Sequence, residues 1–370
     1  MLPTMSASLR TLLRLTTVSI ALILMSPSLF AQQETPPTPT FSSNVKVVTV
    51  LATVRDKKGN IINNLTKDDF KLVQDGQPQT IRYFTRETDL PLTLGLLVDT
   101  SLSQRRLIEQ ERVASYAFLN EFMRVDKDKA FVMHFDWGAE LLQDLTTDHQ
   151  KLQVALDKLD MPGSSLSGPP RTAGGNDDPD ARRYQGGSTT LYDAVFLACD
   201  ELMQKQQGRK ALILLTDGVD EGSKTTLNRA VEAAQRSNTL VYSILYADAD
   251  AYGRGFGHSG GMGGGMGRHG GGWPGGQGGG YPPQQREEHP DGKKVLERIA
   301  RETGGRFFQV SKKDPIDQIY DSIAEELRNQ YNIGYTPDKA VAGAGYHKIS
   351  LTTTSKDMIV QAREGYYAEQ

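Results

Sequence analysis

The sequence has little cysteine, little net charge and few long apolar runs. A single Cys in 370 residues excludes an internal disulfide. Cys199 falls in an apolar helical pattern, which predicts a small core residue. The net charge of −3 provides no basic surface for binding nucleic acid. After residue 31 no apolar run approaches the roughly 20 residues of a membrane-spanning helix.

The amino-terminal segment has the composition of an export signal. Arg10 and Arg14 precede an apolar stretch from Leu15 to Met25, and Phe30-Ala31 offers a cleavage site. This order predicts a secretory signal peptide covering residues 1–31. An uncleaved anchor is the alternative, but the stretch is shorter than the roughly 20 residues that a span needs. We therefore expect an exported protein, in the periplasm, on the cell surface or outside the cell, with no membrane span after signal cleavage.

Apolar runs and helical patterns alternate through the middle of the chain. The run from Leu92 to Val98 is nearly continuous, as expected for a strand buried on both faces. Strand–helix alternation predicts a doubly wound, mostly parallel α/β sheet. The further predicted strands are 130–135, 211–215, 240–246 and 306–310, and the predicted helices are 148–159, 191–203, 225–237, 293–303 and 315–329.

Short β segments flank this region on both sides. Neither the amino-terminal set nor the carboxyl-terminal set is large enough to be stable alone, so we expect residues 45–85 and 331–363 to form one β-sandwich. Between residues 253 and 280, 17 of 28 residues are Gly, which predicts disorder. The predicted organisation is a signal peptide 1–31, a flexible leader 32–44, a β module 45–88, an α/β domain 89–330 with a disordered loop 253–283, and β strands 331–370.

Oxygen-bearing side chains follow the first buried strand of the α/β region. Asp99, Ser101 and Ser103 are spaced two residues apart, and short oxygen donors of this kind are the ligands that Mg²⁺ prefers. The carboxyl ends of strands are where open α/β sheets place their ligand crevice. Asp and Ser are also common helix caps, so a simple N-cap is the alternative interpretation.

Two more oxygen groups occupy comparable places. The run from Ala211 to Leu215 ends in Thr216-Asp217-Gly218, and Thr189 precedes a predicted helix starting near Leu191. Thr190 is the neighbouring hydroxyl. If the two strands are neighbours, both carboxylates meet at one crevice, where they repel each other unless a cation lies between them. The sequence therefore predicts a Mg²⁺ site.

The motifs D-x-S-x-S, G-G-x-T-x-L-Y-D-A and L-L-T-D-G, in this order, resemble a von Willebrand factor A domain with its metal-ion-dependent adhesion site. The flanking segments Asp56–Gly59, Gln330–Tyr335 and Ala362–Tyr367 resemble exported bacterial proteins of the related group. The resemblance implies a bound Mg²⁺, Mn²⁺ or Ca²⁺. The implied metal ligands, direct or through water for the two Asp residues, are Asp99, Ser101, Ser103, Thr189 and Asp217.

The resemblance implies a non-enzymatic protein that binds an acidic side chain of a protein partner through the metal. A metal-dependent hydrolase or phosphatase is the alternative from another class. An aspartyl-phosphate mechanism often has a second Asp where this chain has Ser101, and a Ser nucleophile would need a His base, for which the sequence marks no candidate. A structural scaffold with a fold-stabilising metal also remains open.

Overall fold

The structure is a computed structural model. The apolar pattern and the strand–helix alternation both appear in it as regular elements. Predictions for the signal peptide, the leader and the Gly-rich loop 253–283 concern residues outside the described part of the chain. The described residues are 47–87, 90–101, 103–104, 106–160, 189–246, 291–338 and 343–368.

Fourteen strands are numbered in chain order over these residues. They are β1 (Val48–Asp56), β2 (Phe70–Gln74), β3 (Gln77–Gln79), β4 (Ile81–Glu87), β5 (Leu92–Asp99), β6 (Lys129–Phe135), β7 (Ala139–Thr146), β8 (Arg209–Thr216), β9 (Leu240–Leu245), β10 (Phe307–Gln309), β11 (Gln330–Tyr335), β12 (Gly345–Thr353), β13 (Met358–Ala362) and β14 (Gly365–Ala368).

Six α-helices connect them, and the five for which the sequence predicts a range begin within two residues of the predicted start. They are α1 (Ile108–Phe122), α2 (His149–Asp157), α3 (Leu191–Leu197), α4 (Leu227–Arg236), α5 (Gly292–Thr303) and α6 (Ile316–Arg328). Helix α3 continues as a π-helical turn over Ala198–Met203. Among the described residues, no helix is both long enough and apolar enough to cross a membrane.

The central sheet has six strands in the order β10-β9-β8-β5-β6-β7. All neighbouring pairs are parallel except β6 and β7, which are antiparallel. Helices α1, α2 and α6 cover one face and α3, α4 and α5 the other, each over its own apolar core. The buried Cys199 belongs to the second core, as expected. The predicted doubly wound α/β sheet is confirmed.

A β-sandwich built from both ends of the described chain flanks this sheet. One layer has the order β13-β1-β11-β4 and the other the order β14-β12-β2-β3. Strand β1 lies between two carboxyl-terminal strands, β11 and β13, and pairs antiparallel with both. A shared apolar core that includes Val50, Phe70 and Tyr331 joins the layers. The prediction that amino- and carboxyl-terminal strands build one sandwich is therefore confirmed.

Three details differ from the sequence predictions. Asp75-Gly76 is a hairpin signal that predicts pairing of strands 70–73 and 80–84. In the structure this turn joins β2 to the short strand β3, whereas β4 lies in the other layer and pairs with β11. Strand β14, which pairs with β12, was not predicted. Strand β7 was also missed, because none of its residues is buried and it therefore lacks the apolar run of the central strands.

Gly95 makes the close packing of β5 possible. A Cβ atom at this position would lie 2.3 Å from a ring carbon of Phe131 and 2.4 Å from Leu212 Cδ2. We expect Gly95→Ala to lower the free energy of unfolding by about 1–3 kcal/mol, since both neighbours must shift in a packed core. Urea denaturation measures this change. Gly138→Ala, where an added Cβ meets nothing within 4 Å, is the control and should be nearly neutral.

Candidate metal centre

The first part of the site is the turn that follows β5. The Asp99 side chain is fully buried at the end of this strand. Its Oδ1 accepts a hydrogen bond from the Ser101 backbone N–H at 2.9 Å, and its Oδ2 accepts one from the Thr216 hydroxyl at 2.6 Å. Thr216 ends the neighbouring strand β8. The carboxylate of Asp99 therefore ties together the carboxyl ends of two adjacent parallel strands.

The second part is the loop that follows β8. Asp217 comes directly after this strand, and its Oδ1 accepts a hydrogen bond from the Val219 N–H at 3.0 Å. Its other oxygen, Oδ2, accepts the Ser103 hydroxyl at 2.8 Å. The hydroxyl oxygens of Ser101 and Ser103 lie 3.0 Å apart. Ser101, Ser103 and Asp217 thus form one continuous chain of oxygen atoms across the crevice, as the sequence predicted for neighbouring strands.

The third part is the segment before α3. The backbone carbonyl of Thr189 accepts hydrogen bonds from the N–H groups of Glu221 and Gly222, both at 3.1 Å. Thr189 is therefore anchored to the loop that carries Asp217. The hydroxyl of Thr190 instead donates to the backbone carbonyl of Asp136 at 3.2 Å. Because the Thr190 hydroxyl is engaged in this way, Thr189 is the better candidate ligand of the two.

The two carboxylates make the crevice strongly electronegative. Burial, and then the negative charge of Asp217, raise the pKa of Asp99 to about 7. Hydrogen bonds from Ser101 and Thr216 act in the opposite direction and are too weak to restore the ordinary value. A cation between the carboxylates would remove both the repulsion and much of the desolvation cost.

The oxygen atoms of Ser101, Ser103 and Asp217 lie close enough together to be ligands of one small cation. Adjacent ligands of Mg²⁺ lie about 2.9 Å apart when each bond is about 2.0–2.1 Å long. The Ser101–Ser103 and Ser103–Asp217 oxygen distances are 3.0 and 2.8 Å. Within the described ranges, no three His, Cys, Asp or Glu side chains come together as a metal-binding group. The donor set here consists instead of two carboxylates with hydroxyls, which suits a hard cation such as Mg²⁺.

The helix-cap interpretation of the D-x-S-x-S motif is wrong. Helix α1 begins at Ile108, and its N-cap position is occupied by Leu107. Asp99, Ser101 and Ser103 all precede this position, and the side-chain oxygens of the two Ser residues face each other. The Ser hydroxyls of the motif therefore do not cap helix α1.

A hydroxyl–imidazole pair that the sequence did not indicate lies beside the crevice. His134 Nδ1, on β6, is 2.9 Å from the Thr100 hydroxyl, and its Nε2 is 3.4 Å from a carboxylate oxygen of Glu140. The Thr100 N–H also donates to the Phe135 carbonyl at 3.0 Å. These bonds hold the turn after β5 against β6. The imidazole contacts Thr100 and not either of the Ser hydroxyls of the motif.

Gly218 fixes the direction of the loop that carries Asp217. Its φ is +80°, in the left-handed region, and an added Cβ would lie 2.3 Å from the Gly292 carbonyl oxygen at the start of α5. This backbone conformation alone destabilises a non-Gly residue by about 1–2 kcal/mol. The contact with Gly292 adds to that cost, because backbone atoms cannot move away as a side chain can.

We expect Gly218→Ala to destabilise the fold by more than the roughly 1–2 kcal/mol of backbone strain and to weaken cation binding. Thermal unfolding and metal titration measure the two effects. Gly76→Ala is the matched control, because Gly76 has φ +82° but an added Cβ there meets nothing within 4 Å. Equal destabilisation of the two variants would contradict the importance of the Gly292 contact.

Comparisons with known proteins find similarity among solved structures alone. No protein-family model matches the sequence, and no curated protein does. An aerotolerance-related membrane protein from Bacteroides fragilis is 14% identical over 65% of this chain and 98% of that chain, with a TM-score of 0.39. The vWF domain of the type V pili tip protein Mfa5 from Porphyromonas gingivalis is 11% identical over 64% and 95%, with a TM-score of 0.39.

A third similar structure is proximal thread matrix protein 1 from the mussel byssus, with a zinc-occupied MIDAS motif. It is 13% identical over 69% of this chain and 50% of that chain, with a TM-score of 0.41. In this chain's own structure, the doubly wound sheet places the D-x-S-x-S and T-D-G motifs at the carboxyl ends of the neighbouring strands β5 and β8.

Proposed function

We propose that this chain is an exported, non-enzymatic protein that binds a protein partner through a divalent cation, with Mg²⁺ as the first candidate. The observation that carries this proposal is the chain of oxygen atoms from Ser101 through Ser103 to Asp217, with spacings of 3.0 and 2.8 Å. The proposed ligands are Asp99, Ser101, Ser103, Thr189 and Asp217.

The donor set supports adhesion better than hydrolysis. If Asp99 acts through water, the direct ligands of Mg²⁺ are neutral hydroxyls and one carboxylate, that of Asp217. The metal with these ligands then keeps a net positive charge, so that an open coordination position can accept an acidic side chain of a partner. The imidazole beside the crevice bonds to Thr100, which also anchors the end of β5 to β6. Because the hydrogen bond of His134 holds Thr100 in place, we do not assign this imidazole as a general base.

Two measurements test the proposal. Calorimetric titration of MgCl₂ into the purified chain should show one saturable site. In thermal unfolding, added MgCl₂ should raise the melting temperature of the chain, because a ligand that binds the native state stabilises it. Capture experiments with the envelope fraction should then retain a partner in Mg²⁺ and release it with a chelator. If no divalent cation binds at millimolar concentration, the proposal is wrong.

The affinity for Mg²⁺ should depend on pH. Because burial and the charge of Asp217 raise the pKa of Asp99 to about 7, cation and proton compete for the crevice below that pH. Below pH 7 the cation must displace a proton from Asp99, so the affinity for Mg²⁺ should fall by up to about tenfold for each pH unit. Above pH 7 Asp99 is already ionised, and the affinity should become constant. Calorimetry at constant ionic strength between about pH 5.5 and 8.5 measures this profile. A flat profile would contradict the role of Asp99.

A further inference from the structure

The first turn of α3 is capped by the loop that follows β8. The N-cap residue of this helix, Thr190, makes no side-chain hydrogen bond that caps it. Instead, the Tyr192 N–H donates to Asp220 Oδ1 at 3.1 Å. The next N–H along the helix, that of Asp193, donates to the Ser223 hydroxyl oxygen at 3.0 Å. Since the first N–H groups of a helix have no partner within it, side chains 28 and 30 residues later in the chain supply the cap of α3.

The Asp193 carboxylate makes two further contacts with the same loop. Its Oδ2 accepts the Lys224 N–H at 3.0 Å, and its Oδ1 accepts the Thr225 N–H at 2.8 Å. Hydrogen bonds from backbone N–H groups to an ionised carboxylate are stronger than those between neutral groups. Both oxygens of Asp193 therefore hold two successive peptide groups of the loop against the start of α3.

These two segments carry two of the proposed ligands. Asp217 lies at the beginning of the loop, and Thr189 lies two residues before α3, where its carbonyl accepts two N–H groups of the loop. Six hydrogen bonds join the segments in total, two at Thr189, one at Tyr192 and three at Asp193. The position of Thr189 relative to Asp217 is therefore fixed by these contacts.

Mg²⁺ and Ca²⁺ differ in how strongly they depend on fixed ligand positions. Mg²⁺ requires nearly ideal octahedral geometry with bonds of about 2.0–2.1 Å. Ca²⁺ accepts about six to eight oxygen ligands at about 2.3–2.6 Å in flexible arrangements. A displacement of Thr189 relative to Asp217 therefore weakens the binding of Mg²⁺ more than the binding of Ca²⁺.

We propose that Asp193 is a positioning residue that makes the cation site selective for Mg²⁺ over Ca²⁺, by holding the loop after β8 on the start of α3. This inference rests on the proposed function. Asp193 is not a ligand, because both of its oxygens accept backbone hydrogen bonds from the loop. It acts through the relative position of Thr189 and Asp217, and its replacement leaves all the proposed ligands in the chain.

A merely structural role for Asp193 leads to a different expectation. If the side chain served only the stability of the fold, its replacement would change the affinities for the two cations by the same factor or not at all. Under the proposal, the affinity for Mg²⁺ falls more than the affinity for Ca²⁺. The ratio of the two affinities therefore distinguishes the roles.

The experiment compares wild type with Asp193→Ala by calorimetric titration of MgCl₂ and, separately, of CaCl₂. We expect the variant to bind Mg²⁺ about tenfold more weakly and Ca²⁺ at most about threefold more weakly. In the presence of a chelator, amide hydrogen exchange should be faster in the variant at Lys224 and Thr225, since both N–H groups lose their acceptor. Unchanged exchange at these two amides would contradict the proposed contact.

Asp148→Ala is the matched control. The Asp148 carboxylate also accepts the N–H groups of two successive residues, Gln150 at 2.9 Å and Lys151 at 3.4 Å, as the N-cap of α2. This helix follows the end of β7, which pairs with the start of β6 at the edge of the sheet opposite the crevice. The control variant should lose stability, and its affinities for both cations should equal those of wild type.

A second variant tests the same contact with a smaller change. Ser223→Ala removes the acceptor of the Asp193 N–H and the hydroxyl that donates to Asp220 Oδ1 at 2.6 Å. We expect a smaller loss of selectivity for Mg²⁺ in the same direction. If Asp193→Ala does not fold, the selectivity of Ser223→Ala decides the question.

A double-mutant cycle tests whether Asp193 acts through Thr189. In a chain that already carries Thr189→Ala, the change Asp193→Ala should weaken Mg²⁺ binding by a smaller factor than in wild type, because the ligand that it positions is absent. Equal factors in the two backgrounds would overturn the proposed route of action.

The outcomes separate this inference from the function on which it rests. If wild type binds Mg²⁺ and the Asp193 and Ser223 variants keep the wild-type ratio of Mg²⁺ to Ca²⁺ affinity, this inference alone is overturned. If wild type binds no divalent cation, the proposed function and this inference both fail. A loss of selectivity in these two variants, with none in Asp148→Ala, supports the inference.

Discussion

Asp99→Ala should weaken Mg²⁺ binding by about a hundredfold or more, because it removes a buried negative charge next to the cation. The Asp99 carboxylate also accepts hydrogen bonds from the Ser101 N–H and the Thr216 hydroxyl, so the turn that carries the Ser ligands loses its anchor as well. Calorimetry with MgCl₂ measures the loss. Partner capture should fall in parallel, since both depend on the same cation.

The other proposed ligands give a graded series. Asp217→Ala should resemble Asp99→Ala, whereas Ser101→Ala and Thr189→Ala should weaken binding less, because each removes a neutral ligand. Asp126→Ala, at an exposed position outside the crevice, is the control for loss of a carboxylate and should bind normally. If Asp99→Ala bound Mg²⁺ as tightly as the Asp126 variant, the proposed site would be in the wrong place.

Glu326→Ala should lower the free energy of unfolding by about 3–5 kcal/mol, the largest stability effect that we expect in this chain. Glu326, on α6, is 1% exposed and accepts hydrogen bonds from Arg55 on β1 at 2.5 Å and from Arg306 at 2.8 Å. Gln361 on β13 donates to its other oxygen at 3.2 Å. Removing the carboxylate leaves the charge of the buried Arg55 uncompensated.

This prediction concerns the junction between the α/β domain and the β-sandwich, because α6 belongs to the former and β1 and β13 to the latter. Urea denaturation followed by far-ultraviolet circular dichroism measures the change. Glu325→Ala is the matched control: the neighbouring side chain is exposed, and its loss should change stability by less than about 0.5 kcal/mol. Similar losses in both variants would show that the buried ion cluster does not hold the two parts together.

The central sheet could be predicted from sequence because its strands are buried on both faces. The eight residues of β5 are all buried, as are the eight of β8, and such continuous apolar runs are recognisable without any knowledge of their neighbours. The motif residues follow these runs immediately, so their place at the carboxyl ends of two strands was also predictable. The edge strand β7 was not, since it is only partly buried and has no such run.

The pairing of strands in the β-sandwich could not be predicted from local sequence patterns. Asp75-Gly76 marks a turn, and the structure has one there, with φ +49° and +82°. The turn chemistry fixes the reversal of the chain but not the length of the returning strand. Strand β3 ends at Gln79, and the next strand, β4, pairs with β11 in the other layer. The pairing of β4 with β11 depends on residues some 250 positions away along the chain.

By itself, the sequence determined the fold class, the strands that carry the proposed site and the types of candidate oxygen donor, because each follows from local periodicity or from residues a few positions apart. Only the tertiary structure decided which groups meet. Ser103 and Asp217 are 114 residues apart in the chain, yet their oxygen atoms lie 2.8 Å apart. The burial of Glu326 was equally invisible, since a charged residue in an amphipathic helix is ordinarily expected on its exposed face. Burial and proximity depend on how distant elements pack, and no local pattern encodes them.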